Sequence, residues 1–190
     1  MKNKIPVEVS GRHVHLSRKD IDKLFGKDYQ LTTLENLSQP GTFATKETLT
    51  LINKNNKFKD VRIIGPERDE SQIEISKTDA IALEISAPLK LSGDLENTPG
   101  ITIKGPKKTI NLNSGVIIAK RHLHASTTQA KELKLKHNQI IKIQILGKRG
   151  LIFNEIITRI SDNYELALHL DTDEGNAALI NKKTFGKIID

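Results

Sequence analysis

Six residues of this chain occur twice in nearly the same form, and that repetition constrains the fold more than any other feature. Arg12-His13-Val14-His15-Leu16-Ser17 returns 109 positions later as Arg121-His122-Leu123-His124-Ala125-Ser126. At that offset, without a gap, Leu24 falls on Leu133, Lys27 on Lys136 and Gln30 on Gln139. Each copy ends in a serine placed to cap a helix. The first helix is predicted to run through Phe25, with Ile21 and Leu24 inward. The second is predicted to run through Leu135, with Ala130 and Leu133 inward. A strand-like segment follows each helix, Gln30–Leu34 or Gln139–Ile143. A chain of 190 residues with this pattern reads as an internal duplication.

The rest of the pattern favours short strands. Pro6–Ser10, Thr48–Asn53, Phe58–Ile64, Gln72–Ser76, Thr109–Leu112, Val116–Ala119, Ile140–Leu146 and Leu151–Ile160 are expected strands, with a hairpin at the polar stretch Lys54–Lys57 and a turn at Gly147–Gly150. Shorter helical turns are expected near Thr78 and Thr172. Many short strands in two copies predict a mainly β fold of two duplicated small β-barrel domains with short capping helices. The boundary is expected in the stretch Ser86–Gly100, which holds Pro88, Gly93, Pro99 and Gly100. That gives halves at 1–87 and 88–190, with exchange of strands between them left open.

Composition narrows the chemistry. There is no cysteine, which excludes disulfides, thiolate metal sites and cysteine nucleophiles. Any metal must be held by imidazole and carboxylate. The formal charge of +7 invites a nucleic-acid reading, but two tyrosines, five phenylalanines and no tryptophan supply few stacking platforms. The same field attracts a polyanionic small molecule such as a nucleotide-bearing cofactor. No apolar run approaches the roughly 20 residues that cross a bilayer. Met1–Ile5 is too short and polar for a signal peptide, so a cytoplasmic protein is expected.

Five of the six histidines fall into His13/His15, His122/His124 and His169. In an extended segment residues two apart face the same side, so His-x-His offers two imidazoles to one point. Each pair also lies just before a helix start, where backbone N–H groups favour anions. Glu74, in an alternating segment, and His169, between two leucines, supply third ligands. Each has an ordinary alternative, Glu74 as a solvated strand residue and His169 as a satisfied core histidine. His137, in a basic stretch, reads as a surface residue. Five histidines and one carboxylate make three ligands for each of two metals, leaving an open position as catalytic zinc sites do. Manganese, cobalt, nickel and iron suit the same donors.

These motifs, together with Leu37-Ser38-Gln39-Pro40-Gly41, Gly65-Pro66-x-Arg68-x-x-x-Gln72-x-Glu74-x-Ser76 and Leu168-His169-x-Asp171-x-Asp173-Glu174-x-Asn176, resemble the PduL-type phosphate propanoyltransferases from about Ile5 to Ile180. The resemblance implies two β-barrels with an active site at their junction. It implies two zinc ions, with His13, His15 and Glu74 holding one set of positions and His122, His124 and His169 the other. It further implies that Arg68 and Arg159, with Ser92, hold phosphate, that Gln72 lines the pocket, and that Arg62, Asn176 and His169 lie near coenzyme A. Thr42 stands where the family often has glutamine, and the motifs begin too near Met1 for the extension that directs many relatives into a microcompartment. A free cytosolic enzyme is therefore expected.

The reaction so implied is acyl-CoA + phosphate ⇌ acyl phosphate + CoA, by direct transfer. Acetyl and propanoyl groups differ by one methylene, and no residue decides between them, so acetate metabolism and propanediol breakdown both stay open. A two-metal hydrolase of esters or phosphoesters shares the histidines but leaves the arginines unexplained. A nucleic-acid-binding β-barrel leaves the histidines unexplained. The oligomeric state is open, a homodimer included.

Overall fold

Between the two histidines of each pair stands an apolar residue, Val14 or Leu123, and both are 0% exposed. Alternation along an extended strand puts that residue into the core and its two neighbours on the opposite face. Burying such a side chain contributes about 1.5–3 kcal/mol, which is what anchors each His-x-His strand.

A computed structural model describes residues 4–189, and in it the chain is mainly β with four short helices. In chain order the elements are β1 (Ile5–Ser10), β2 (His13–His15), α1 (Arg18–Phe25), β3 (Thr33–Asn36), β4 (Phe43–Asn53), β5 (Asn56–Gly65), β6 (Gln72–Glu74), α2 (Lys77–Ala82), β7 (Leu89–Lys90), β8 (Ile101–Lys104), β9 (Thr109–Leu112), β10 (Val116–Ala119), β11 (His122–Ala125), α3 (Thr127–Leu133), β12 (Ile140–Ile145), β13 (Leu151–Ile160), β14 (Ala167–Asp171), α4 (Thr172–Ala177) and β15 (Phe185–Ile189). No helix among the described residues is long and apolar enough to cross a membrane.

The chain forms two compact units. One is residues 12–119; the other joins the chain as far as Gly11 to the chain from Lys120 onward. The second unit is a closed barrel in the order β1-β14-β11-β13-β12-β15. The first is a nine-stranded sheet in the order β7-β10-β6-β2-β5-β4-β8-β9, with β3 paired to β4. This division differs from halves at 1–87 and 88–190, because pairing places the strands. β7 and β10 extend the ladder of β6, and β8 and β9 continue from β4, so residues 88–119 stay with the first His-x-His.

The duplication extends to register. Val14 pairs with Ile63 and Ile73, and Leu123 pairs with Thr158 and Leu168. The strands before the two histidine pairs are exchanged. β1 precedes β2 yet pairs with β14, Val7 opposite Leu168; β10 precedes β11 yet pairs with β6, Val116 opposite Ile73.

Local chemistry explains the ends of elements. Ser17 accepts from the Asp20 N–H at the start of α1, and Ser126 with Gln129 closes a capping box on α3. β4 and β5 form the expected hairpin, Asn53 opposite Asn56. Gly147, with φ +143°, begins the turn between β12 and β13 in a conformation that favours glycine. The segment after α1 becomes extended only at Thr33, three residues beyond Gln30, and β7, β8 and β15 lie outside the expected strands. The core of the first unit is built on Val14, Leu16, Ile21, Leu51, Ile63 and Ile73, and that of the barrel on Ile5, Leu123, Ile143, Ile156 and Leu168.

Candidate active site

In the first unit β2 lies between β5 and β6, and the antiparallel ladder with β6 sets His13 directly opposite Glu74 and His15 opposite Gln72. One donor atom from each of His13, His15 and Glu74 lies within 4.8 Å of the others. His13 Nε2 is 3.6 Å from one Glu74 oxygen and His15 Nε2 is 3.9 Å from the other. Metal–nitrogen bonds of about 2.0 Å in a tetrahedral set imply donor separations of about 3.3 Å, so small side-chain adjustments would suffice. The His15 Nδ1–H donates to the Ile64 carbonyl at 3.0 Å. A carbonyl oxygen only accepts, so the lone pair is left on Nε2, facing Glu74.

Electrostatics keep His15 and Glu74 in their ligating forms. Burial, then the charges of His13 and Arg68, lower the His15 pKa to about 3, against the opposing Glu74 carboxylate and Ile64 carbonyl. Burial acts to raise the Glu74 pKa. His13, His15, the Ser92 hydroxyl and Arg68 outweigh it, so Glu74 is a carboxylate.

Three expected site residues join this group. Ser92 Oγ donates to Glu74 at 2.8 Å, the Gln72 amide donates to Glu74 at 2.6 Å, and Arg68 donates to Ser92 Oγ at 3.1 Å. The Gly93 N–H donates to the Gln72 carbonyl at 2.8 Å and fixes the amide orientation.

In the barrel β11 runs between β13 and β14, with His122 opposite His169 and His124 opposite Arg159. One nitrogen from each of His122, His124 and His169 again lies within 4.8 Å of the others. The His122 Nδ1–H donates to the Lys120 carbonyl at 2.9 Å, directing the lone pair to Nε2. Burial, followed by His122, His169 and Arg159, lowers the His124 pKa to about 2, so its ring is neutral. Both His124 ring nitrogens are buried without a hydrogen-bond partner. A buried polar atom left unpaired costs about 1–3 kcal/mol, and a cation ligand is the chemistry that relieves it. On this observation the barrel's donor set fits a divalent metal, and the sheet's set fits one by its two imidazoles and carboxylate within 4.8 Å.

The remaining expected residues are spread more widely. Arg62, opposite His13, donates to the Thr45 and Lys46 carbonyls at 2.9 and 3.0 Å. Asn176 is exposed on α4. Thr42 donates to the Gln39 carbonyl at 2.7 Å and closes the turn after β3. His137 is exposed and accepts from the Ile160 N–H at 3.1 Å.

Comparison with known proteins decides the family. The profile of phosphate propanoyltransferase matches residues 6–181. The chain belongs to that family. The phosphate propanoyltransferase of Enterococcus faecalis is 45% identical over 188 residues, covering 99% of this chain and 89% of that protein. That of Thermotoga maritima is 47% identical over 178 residues, covering 93% and 85%. That of Salmonella typhimurium is 43% identical over 187 residues, covering 97% and 89%. Family membership makes the chain an acyltransferase.

Within this phosphate propanoyltransferase fold, sequence reasoning missed two residues. Glu8 on β1 lies opposite His169, with a carboxylate oxygen 3.6 Å from Nδ1. Tyr164 stacks on His124 with ring centroids 4.0 Å apart and planes 19° from parallel. Neither belongs to a repeated motif. The exchange of β1 into the barrel is what brings Glu8 to His169, and no local signal announces it.

Proposed function

We propose that the chain catalyses acyl-CoA + phosphate ⇌ acyl phosphate + CoA for propanoyl or acetyl groups, assisted by two zinc ions. His13, His15 and Glu74 hold one ion and His122, His124 and His169 the other. The observation that supports this best is the presence of two separate three-donor sets in a chain whose relatives are named for transfer to phosphate. Three protein donors leave a coordination position for a reactant. A cation bound there supplies Lewis-acid polarisation and offsets charge on phosphate or on the departing thiolate.

The protein's own groups do the rest. Arg68, supported by Ser92, and Arg159 hold phosphate, because a planar guanidinium donates paired hydrogen bonds and keeps its charge. Gln72 fixes the Glu74 carboxylate and lines the pocket. Arg62, Asn176 and His169 lie toward coenzyme A. A phosphate oxygen forms the new bond to the thioester carbonyl carbon, the carbon–sulfur bond breaks, and the sulfur leaves as the CoA thiolate. Holding both reactants together makes an acyl-enzyme unnecessary.

The test is release of CoA from acetyl- and propanoyl-CoA, with and without phosphate and a chelator, on the wild type and on His122→Ala and Arg68→Ala. Phosphate-dependent release, abolished by the chelator and by His122→Ala and demanding more phosphate in Arg68→Ala, supports the reading. Equal release without phosphate points to the two-metal hydrolase. Label left covalently on the protein by labelled acyl-CoA alone overturns direct transfer.

A further inference from the structure

We infer that Arg12 and Arg121 are positioning residues that set the donor geometry of the two triads, each by clamping the end of the ladder that carries two of its donors. The inference rests on the cation reading above.

The β2/β6 ladder ends at His13 opposite Glu74, and the β11/β14 ladder ends at His122 opposite His169. The terminal pair of each ladder therefore holds two of the three donors, and strand ends are where pairing frays. Just past that pair the strands part, with the arginine on one and a helix cap on the other. Ser76 caps α2 and Asp79 closes its capping box; Asp171 caps α4 and Glu174 closes that box. Arg12 donates to Asp79 at 2.5 Å, and Arg121 donates to Glu174. Each ion pair bridges the parted strands one step beyond the donors.

The same guanidinium groups reach the third strand. Arg12 lies 4.2 Å from the ring of Phe58 on β5, and Arg121 lies 5.3 Å from the ring of Phe153 on β13. β5 and β13 are the parallel partners of β2 and β11. Arginine, phenylalanine, capping residue and capping-box carboxylate thus recur in both units in the same relation to the donors. An incidental surface ion pair has no reason to repeat with its aromatic neighbour and its cap. With Asp79 only 5% exposed, the carboxylate also cannot exchange its partner for water freely.

The test uses the full-length chain, stripped with a chelator and titrated with Co(II), read by visible absorption and by elemental analysis. Wild type is expected to take up two ions. Arg12→Ala is expected to weaken one site by about 10–100-fold, as loss of an outer support to a metal ligand does, and to leave the other at wild-type affinity. Arg121→Ala is expected to do the reverse, with the affected site assigned by repeating each titration in a His169→Ala background. Asp79→Asn and Glu174→Gln are expected to reproduce the selective losses, and Arg12→Ala with Asp79→Asn to be no worse than either alone. If Arg12→Ala fails to fold, the near-isosteric Asp79→Asn decides. Lowered thermal stability with both affinities unchanged, or equal weakening of both sites, overturns the inference alone. A wild type that takes up no cobalt overturns the cation reading and the inference with it.

Discussion

The two triads share one scaffold and differ in what surrounds it. Each rests on a His-x-His strand held between a parallel and an antiparallel neighbour, with the third donor on the antiparallel side. In the sheet that donor is Glu74, wrapped by hydrogen bonds from Gln72 and Ser92 and approached by Arg68 through Ser92. In the barrel it is His169, backed by Glu8, while Tyr164 covers His124. The first set carries a formal negative charge and the second is neutral, so a divalent cation would keep more net charge among the three imidazoles. Repetition fixes where donors stand. The residues that did not repeat give each set its own surroundings.

Loss of a candidate donor has the largest expected effect. His13→Ala and His122→Ala are each expected to leave one cation per chain and to slow CoA release by roughly a thousandfold or more, since a metal supplies several kcal/mol of transition-state stabilisation. Elemental analysis beside kcat checks this, and an active chain with one ion would mean that only one triad serves the chemistry.

Next come the matched anchors. Leu123→Ala is expected to cost about 2–5 kcal/mol in denaturant unfolding, and Val14→Ala less, because valine has fewer buried carbons to lose. A reversed order would show that the two units do not pack their histidine strands alike.

Arg68→Ala removes the charged group that only the sheet triad reaches through Ser92. Loss of a charge-assisted hydrogen bond of about 1.5–3 kcal/mol predicts a roughly 10–100-fold rise in the phosphate KM, with cation content unchanged. Initial-rate kinetics at varied phosphate separates this from a fall in kcat.

A further expected effect concerns acid. His15 and His124 stay neutral in the folded chain far below their ordinary value of 6.5. Their folded values are depressed, so between pH 6.5 and 4.5 the unfolded chain binds protons that the folded chain refuses. Stability of the metal-free protein therefore falls as pH falls across that window, by up to about 1.4 kcal/mol per pH unit for each residue. His15→Gln or His124→Gln should flatten the dependence by one residue's share, which denaturant midpoints at several pH values would show. Equal slopes in wild type and variants would mean that the rings are solvated.

The sequence by itself determined the local features. Alternation about Val14 and Leu123 gave both imidazole pairs a common face, serine caps marked the starts of α1 and α3, and the 109-residue offset announced two related units. Glu74 and His169 were legible as candidates because each stands in an alternating segment just before a turn, yet each had an innocent reading. Only tertiary pairing brought each to its partners, by setting Glu74 opposite His13 and His169 opposite His122. Tertiary structure also decided the exchange of β1 and β10, the arrival of Glu8 beside His169, and the partners of Arg12 and Arg121. The physical reason is that periodicity and capping act within a few residues of chain, whereas the register of distant strands is set by which apolar faces must be buried together.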